Sequence, residues 1–107
     1  MIQLISNLLE NLENNNNNNI KRTKICELNI ICLNYCNNKK ISKSQRIKLK
    51  NIIDFCFSVL LLIDTDKLNS IEIIKAIKVK ALYLKLDLLF DVKEDPSGFN
   101  DLITKLL

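Results

Sequence analysis

Residues 70–90 read SIEIIKAIKVKALYLKLDLLF. Ile74, Ile77, Ala81, Leu84 and Leu88 recur at helical steps, which lines them along one side of an α-helix. Val79, Leu82, Leu86 and Leu89 form a second apolar line. A helix apolar over so wide an arc has to be covered on two sides, so this one is predicted to fill a groove between two partner helices. Asn69 or Ser70 is placed to cap its start, with Glu72 in the first turn, where a carboxylate meets the positive end of the helix dipole.

Upstream lie the two partners that this reading requires. Ile25, Leu28, Cys32 and Tyr35 make one stripe, which stops at Asn37 and Asn38, residues that tolerate the left-handed conformation of a helix end. Ser42 or Ser44 then opens a longer stripe through Leu49, Ile52, Cys56, Val59 and Ile63, widened by Ile53, Phe57 and Leu60, that ends around Asp64 to Asp66. Connections of about five residues make chain neighbours pack antiparallel. The expectation is an all-α protein: an antiparallel three-helix bundle over residues 20–91 with short terminal helices. Residues 1–19 would be a short helix and an Asn-rich linker, and 92–107 a linker with a short C-terminal helix.

Composition agrees. The chain has 107 residues, nineteen of them leucine and sixteen isoleucine, but one glycine and one proline, too little turn chemistry for a many-stranded sheet. The six consecutive asparagines from Asn14 to Asn19 offer nothing to bury and read as a tether. With the Lys and Ile bias they also suggest codon drift in an AT-rich genome. Residues 2–12 and 99–107 are short amphipathic helices expected to pack on the bundle.

The same composition narrows function. There is no histidine, so the commonest general base and metal ligand is missing, and an enzyme is not expected. Cys26, Cys32, Cys36 and Cys56 are scattered along helical patterns instead of paired on loops, so they are read as small buried side chains, with no metal and no cofactor expected. The longest apolar stretch, Ile52 to Ile63, is interrupted by Asp54 and Ser58 and falls short of the roughly 20 residues that span a bilayer. No secretory signal is evident, and a cytoplasmic or nuclear setting is expected. The net charge of +4 is unevenly spread: residues 20–50 carry +8. Lys39, Lys40, Lys43, Arg46, Lys48 and Lys50 are the candidates for phosphate contact, but the run lacks interleaved aromatics, so nucleic acid is not the expected partner.

Asp54 and Asp64 stand out in the middle helix. Ten residues put them roughly 15 Å apart along the axis and about 80° apart around it, too far for a carboxylate pair that shares a proton or a substrate atom. Two separate contacts to cations of a partner protein suit that spacing better. In the third helix Lys75, Lys78 and Lys85 form a basic line.

The run Asp54-Phe55-Cys56-Phe57-Ser58-Val59-Leu60-Leu61-Leu62-Ile63-Asp64-Thr65 resembles the middle helix of the BAG domain family, which shows an acid, mostly apolar positions, then a hydrophobic-Asp pair before the turn. The resemblance covers Ile20 to Asp91. It implies a three-helix module that docks on the ATPase domain of a DnaK-type heat-shock chaperone and promotes nucleotide exchange. Family members grip the chaperone with the two acids and with an Arg and a Gln on the third helix. Alignment on Val79, Leu82, Leu86 and Leu89 puts Lys75 at the Arg position and Tyr83 at the Gln position, and a three-residue shift makes Lys78 the cation. Lysine keeps the charge without the bidentate fork, and tyrosine offers one hydroxyl in place of an amide, so the resemblance implies weaker docking. The rival reading is a non-catalytic scaffold that assembles through Met1–Leu12 and Phe99–Leu107.

Overall fold

Among the described residues five helices account for the regular structure: α1 (Ile2–Glu13), α2 (Arg22–Cys36), α3 (Lys43–Asp64), α4 (Ile71–Phe90) and α5 (Phe99–Leu106). The computed structural model describes residues 1–14 and 20–107, and no strand occurs among them. The tether assigned to the asparagine tract lies outside the described residues, apart from Asn14.

Local chemistry sets the helix ends. Ser42 caps α3, its hydroxyl oxygen accepting from the Gln45 N–H at 3.1 Å. At the other end Asp66 turns left-handed at φ 56°, the Asp66 N–H reaches the Ile63 carbonyl and the Lys67 N–H reaches the Leu62 carbonyl. These bonds form a Schellman close, with aspartate in the place usually held by glycine. Asp91 ends α4 in the same left-handed region. Asn37 departs from expectation: it caps α2 in the right-handed region, and Arg46 satisfies the end instead, donating to the Cys36 carbonyl at 2.6 Å and the Asn38 carbonyl at 3.3 Å.

Packing follows the stripes. Ile25, Leu28 and Cys32 of α2 are buried, as are Leu49, Ile52, Cys56 and Val59 of α3 and Ile77, Ala81, Leu84 and Leu88 of α4. Arg22 at the start of α2 pairs with Asp64 at the end of α3, and Lys48 near the start of α3 pairs with Asp91 just after α4, so α3 runs antiparallel to both neighbours. The groove that α4 fills is walled differently from expectation. Its closest partner is α1, α3 is the second, and α2 shares at most a marginal contact with it among the described residues. The reason is that α1 touches both α2 and α4: Ile5, Leu8, Leu9 and Leu12 are buried where those two helices would otherwise meet. Glu13 then fastens the end of α1 to Lys85 of α4 at 2.9 Å.

One aromatic differs from the sequence reading. Phe57, expected to widen the buried stripe of α3, is 55% exposed. Phe55 is buried in its stead, edge-on to Phe99 of α5 with ring centroids 5.3 Å apart. Two residues move a side chain about 200° around a helix, so only one of the pair can face inward. Phe99 arrives there because Pro96 and Gly98 turn the chain, Gly98 at φ +66°. Asp95 organises that turn by accepting from the Ser97 N–H at 2.9 Å and the Ser97 hydroxyl at 2.6 Å.

Candidate functional site

The solvent-facing stripe of α3 is the candidate. Lys43, Ile47, Lys50, Asp54, Phe57, Leu61 and Asp64 follow one another at steps of three and four and are all exposed. At 100° per residue they fit within an arc of about 100°. Asp54 and Asp64 therefore bracket two large apolar side chains, Phe57 at 55% exposure and Leu61 at 46%. Sequence reading found the acids and missed the apolar pair. The steps 54, 57, 61, 64 carried the signal, because residues in that pattern share a face with the acids.

The two acids sit at opposite edges of the stripe. Asp64 lies toward α2 in its pair with Arg22, both side chains about half exposed. Asp54 lies toward α4 and α5, lining a polar cleft of about 130 Å³ with Asn51, Ser58, Lys80 and Asn100. The cation of α4 on that side is Lys80, which sequence reading did not single out. It is 7% exposed, pairs with Asp95 at 2.5 Å, and its ammonium lies 5.1 Å from the centroid of the Tyr83 ring.

Lys75 and Lys78 occupy another face. They lie roughly 140° and 160° around α4 from Lys80. Lys75 lines a cleft between α4 and α5 with Glu72, Val79, Pro96 and Asp101, and both lysines border a depression with Ile71 and Ile74. The structure thus brings Asp54 together with Lys80, near Tyr83, and does not bring Asp54 or Asp64 together with Lys75 or Lys78. Tyr83 is half-buried, and its hydroxyl titrates above the ordinary value because of burial first, then the nearby Asp87 and Asp95.

The four cysteines gather along the α2–α3 contact as free thiols. Burial, then the neighbouring Cys36, pushes the Cys32 thiol up to about 12, and burial raises Cys56 as well, with smaller contributions from Cys32 and Cys26. Thiols held protonated in this way are poor nucleophiles and poor metal ligands. Among the described residues no group of three or more Cys, Asp or Glu is arranged to hold a metal ion, and no helix is long and apolar enough to cross a membrane.

No family model, curated protein or solved structure matches the chain.

Proposed function

We propose that the chain is a non-catalytic adaptor whose α3 docks on the ATPase domain of a DnaK-type heat-shock chaperone and promotes nucleotide exchange. The observation that carries this reading is the exposed sequence Asp54, Phe57, Leu61, Asp64 along one face of a single helix. An aromatic and an aliphatic anchor flanked by charges is the composition of a protein-binding centre with a polar rim. A 22-residue helix holds the two carboxylates at fixed separation, so a partner with two matching cations is selected by geometry as well as by charge.

In this reading residues 20–91 are the BAG-like unit, with α1 and α5 as additions against α4. The family's three-helix arrangement is then opened by α1, which lies between α2 and α4. The docking face is centred on α3, with Lys80 and Tyr83 at its α4 edge, and Lys75 and Lys78 fall outside a flat footprint. No catalytic group is required, since a protein that binds the open state of the chaperone better than the closed one shifts the population and speeds ADP exit.

The rival scaffold reading draws less support. The apolar face of α1 is buried within the chain, and Phe99 of α5 is spent on Phe55, which leaves less free surface at the termini for assembly.

The test is ADP-release kinetics of a DnaK-type chaperone with and without this chain, alongside capture on the isolated ATPase domain. Faster release is expected, with capture weakened at least tenfold by Phe57→Ala or Asp64→Ala. Both sites are exposed, so folding should change by at most about 1 kcal/mol. Absence of capture by the unaltered chain would remove the chaperone reading, and full capture by both variants would remove the α3 site.

A further inference from the structure

Tertiary structure gathers a second surface at the end of the molecule where α2 finishes, α3 starts and α4 finishes. The Arg46 bonds to the carbonyls of Cys36 and Asn38, together with the Lys48–Asp91 pair, hold these three ends together. Residues 37–50 supply six cations and no acid. Lys39, Lys40, Lys43 and Lys50 are exposed and have no ion pair among the described residues. The acids placed near this end are Asp91, already paired with Lys48, Glu13, already paired with Lys85, and the buried Asp87. Compositional drift would scatter lysine along the chain, whereas here the cations converge.

Apolar side chains are exposed at the same end. Phe90 is 72% exposed, Ile47 53% and Leu89 42%. Ile47 stands between Lys43 and Lys50 on the outer stripe of α3, and Leu89 and Phe90 close α4 just before the Asp91 that Lys48 holds. The sequence run 37–50 has no aromatic of its own, and the fold supplies one from forty residues away.

We propose that this end binds an anionic membrane surface, with Phe90, Leu89 and Ile47 entering the headgroup boundary while Lys39, Lys40, Lys43 and Lys50 meet lipid phosphates and carboxylates. Charge complementarity selects the occupant: unpaired lysines around protruding aliphatic and aromatic side chains match a bilayer interface, which takes up both. A nucleic-acid backbone would use the cations and Phe90 but would gain nothing from exposed Ile47 and Leu89. The proposal shares Lys43, Ile47 and Lys50 with the outer stripe of α3 but does not rest on the chaperone reading, which uses only the part from Asp54 to Asp64.

Co-sedimentation of the full chain with phosphatidylcholine vesicles, with and without about one third phosphatidylserine, tests it. Binding is expected only with phosphatidylserine and is expected to fall as salt rises. At about fivefold per lysine, the Lys39→Glu/Lys40→Glu/Lys43→Glu variant should bind more than about a hundredfold more weakly. Leu89→Ser/Phe90→Ser should also weaken binding at least tenfold, with an unchanged circular dichroism spectrum in both variants. No binding to phosphatidylserine vesicles at low salt overturns the proposal. So does unaltered vesicle binding by either variant, or binding to a single-stranded oligonucleotide that is tighter than to vesicles.

Discussion

Replacing Lys80 by methionine keeps an unbranched side chain of similar length while deleting the ammonium that holds the 91–98 loop. The Lys80 side chain is 8% exposed and that of Asp95 22%, so their 2.5 Å pair is far drier than Arg22–Asp64 on the surface. Breaking a fully buried pair by removing one partner costs about 3–5 kcal/mol, because the other charge is stranded, while exposed pairs contribute about 0–1 kcal/mol. Asp95 keeps its two bonds from Ser97 and some contact with water. About 2 kcal/mol is therefore expected for Lys80→Met, or roughly 10 °C in the thermal midpoint of a chain this size. Asp95→Asn should cost a comparable amount. The double variant strands no charge, so the singles should overshoot it by about 2 kcal/mol in a double-mutant cycle read by urea unfolding. The pH dependence follows from Asp95. Burial pushes its carboxyl up, but the hydrogen bonds from Lys80 and Ser97 outweigh this and hold it below the ordinary value. Its contribution is complete above the ordinary carboxylate range and is lost as pH falls through the lowered folded value. The gap between native and Lys80→Met protein should then be widest at neutral pH and close on acidification. Additive singles of under about 0.5 kcal/mol, or a gap that persists in acid, would refute the argument.

Asp87→Asn should stabilise the protein at neutral pH. Burial raises the Asp87 carboxyl, Lys48 opposes this, Asp91 adds to it and Lys80 opposes it, with the net shift upward. The native state therefore loses stability as pH rises from the ordinary carboxylate value through the raised one, and the advantage of the Asp87→Asn variant in thermal melts should vanish in acid. Phe99→Ala removes the ring that packs on Phe55 and should cost about 3–5 kcal/mol in urea unfolding, with amide exchange speeding first across 99–106. Thiol labelling of the native protein should modify the half-exposed Cys26 first, leaving Cys32 and Cys56 unreacted until urea unfolds the chain.

Helices α2, α3 and α4 were legible because the step of three and four records which residues leave water together, and the terminal chemistry of α3 is local, whereas the end of α2 is satisfied by Arg46 of α3. The Ser42 cap and the Asp64–Asp66 close are written in adjacent residues, whereas Ser70 sits at the start of α4 without a side-chain capping bond. The exposure of Asp54 and Asp64 follows from the same periodicity. Phe57 was misplaced because hydrophobicity alone made it look internal, although its step from Asp54 put it outside.

The sequence by itself determined that this is an all-helical chain, where its stripes run, and that the two acids of α3 stand apart on a wet face, since each depends on interactions within one helix. Only the tertiary structure decided which stripes meet. That α1 enters between α2 and α4, that Phe99 reaches Phe55, that Lys80 instead of Lys75 faces the Asp54 cleft, and that Asp91 after α4 meets Lys48 of α3 are all long-range pairings. The apolar contacts among them are non-directional, so an amphipathic face states how much surface must be covered without naming the partner that covers it.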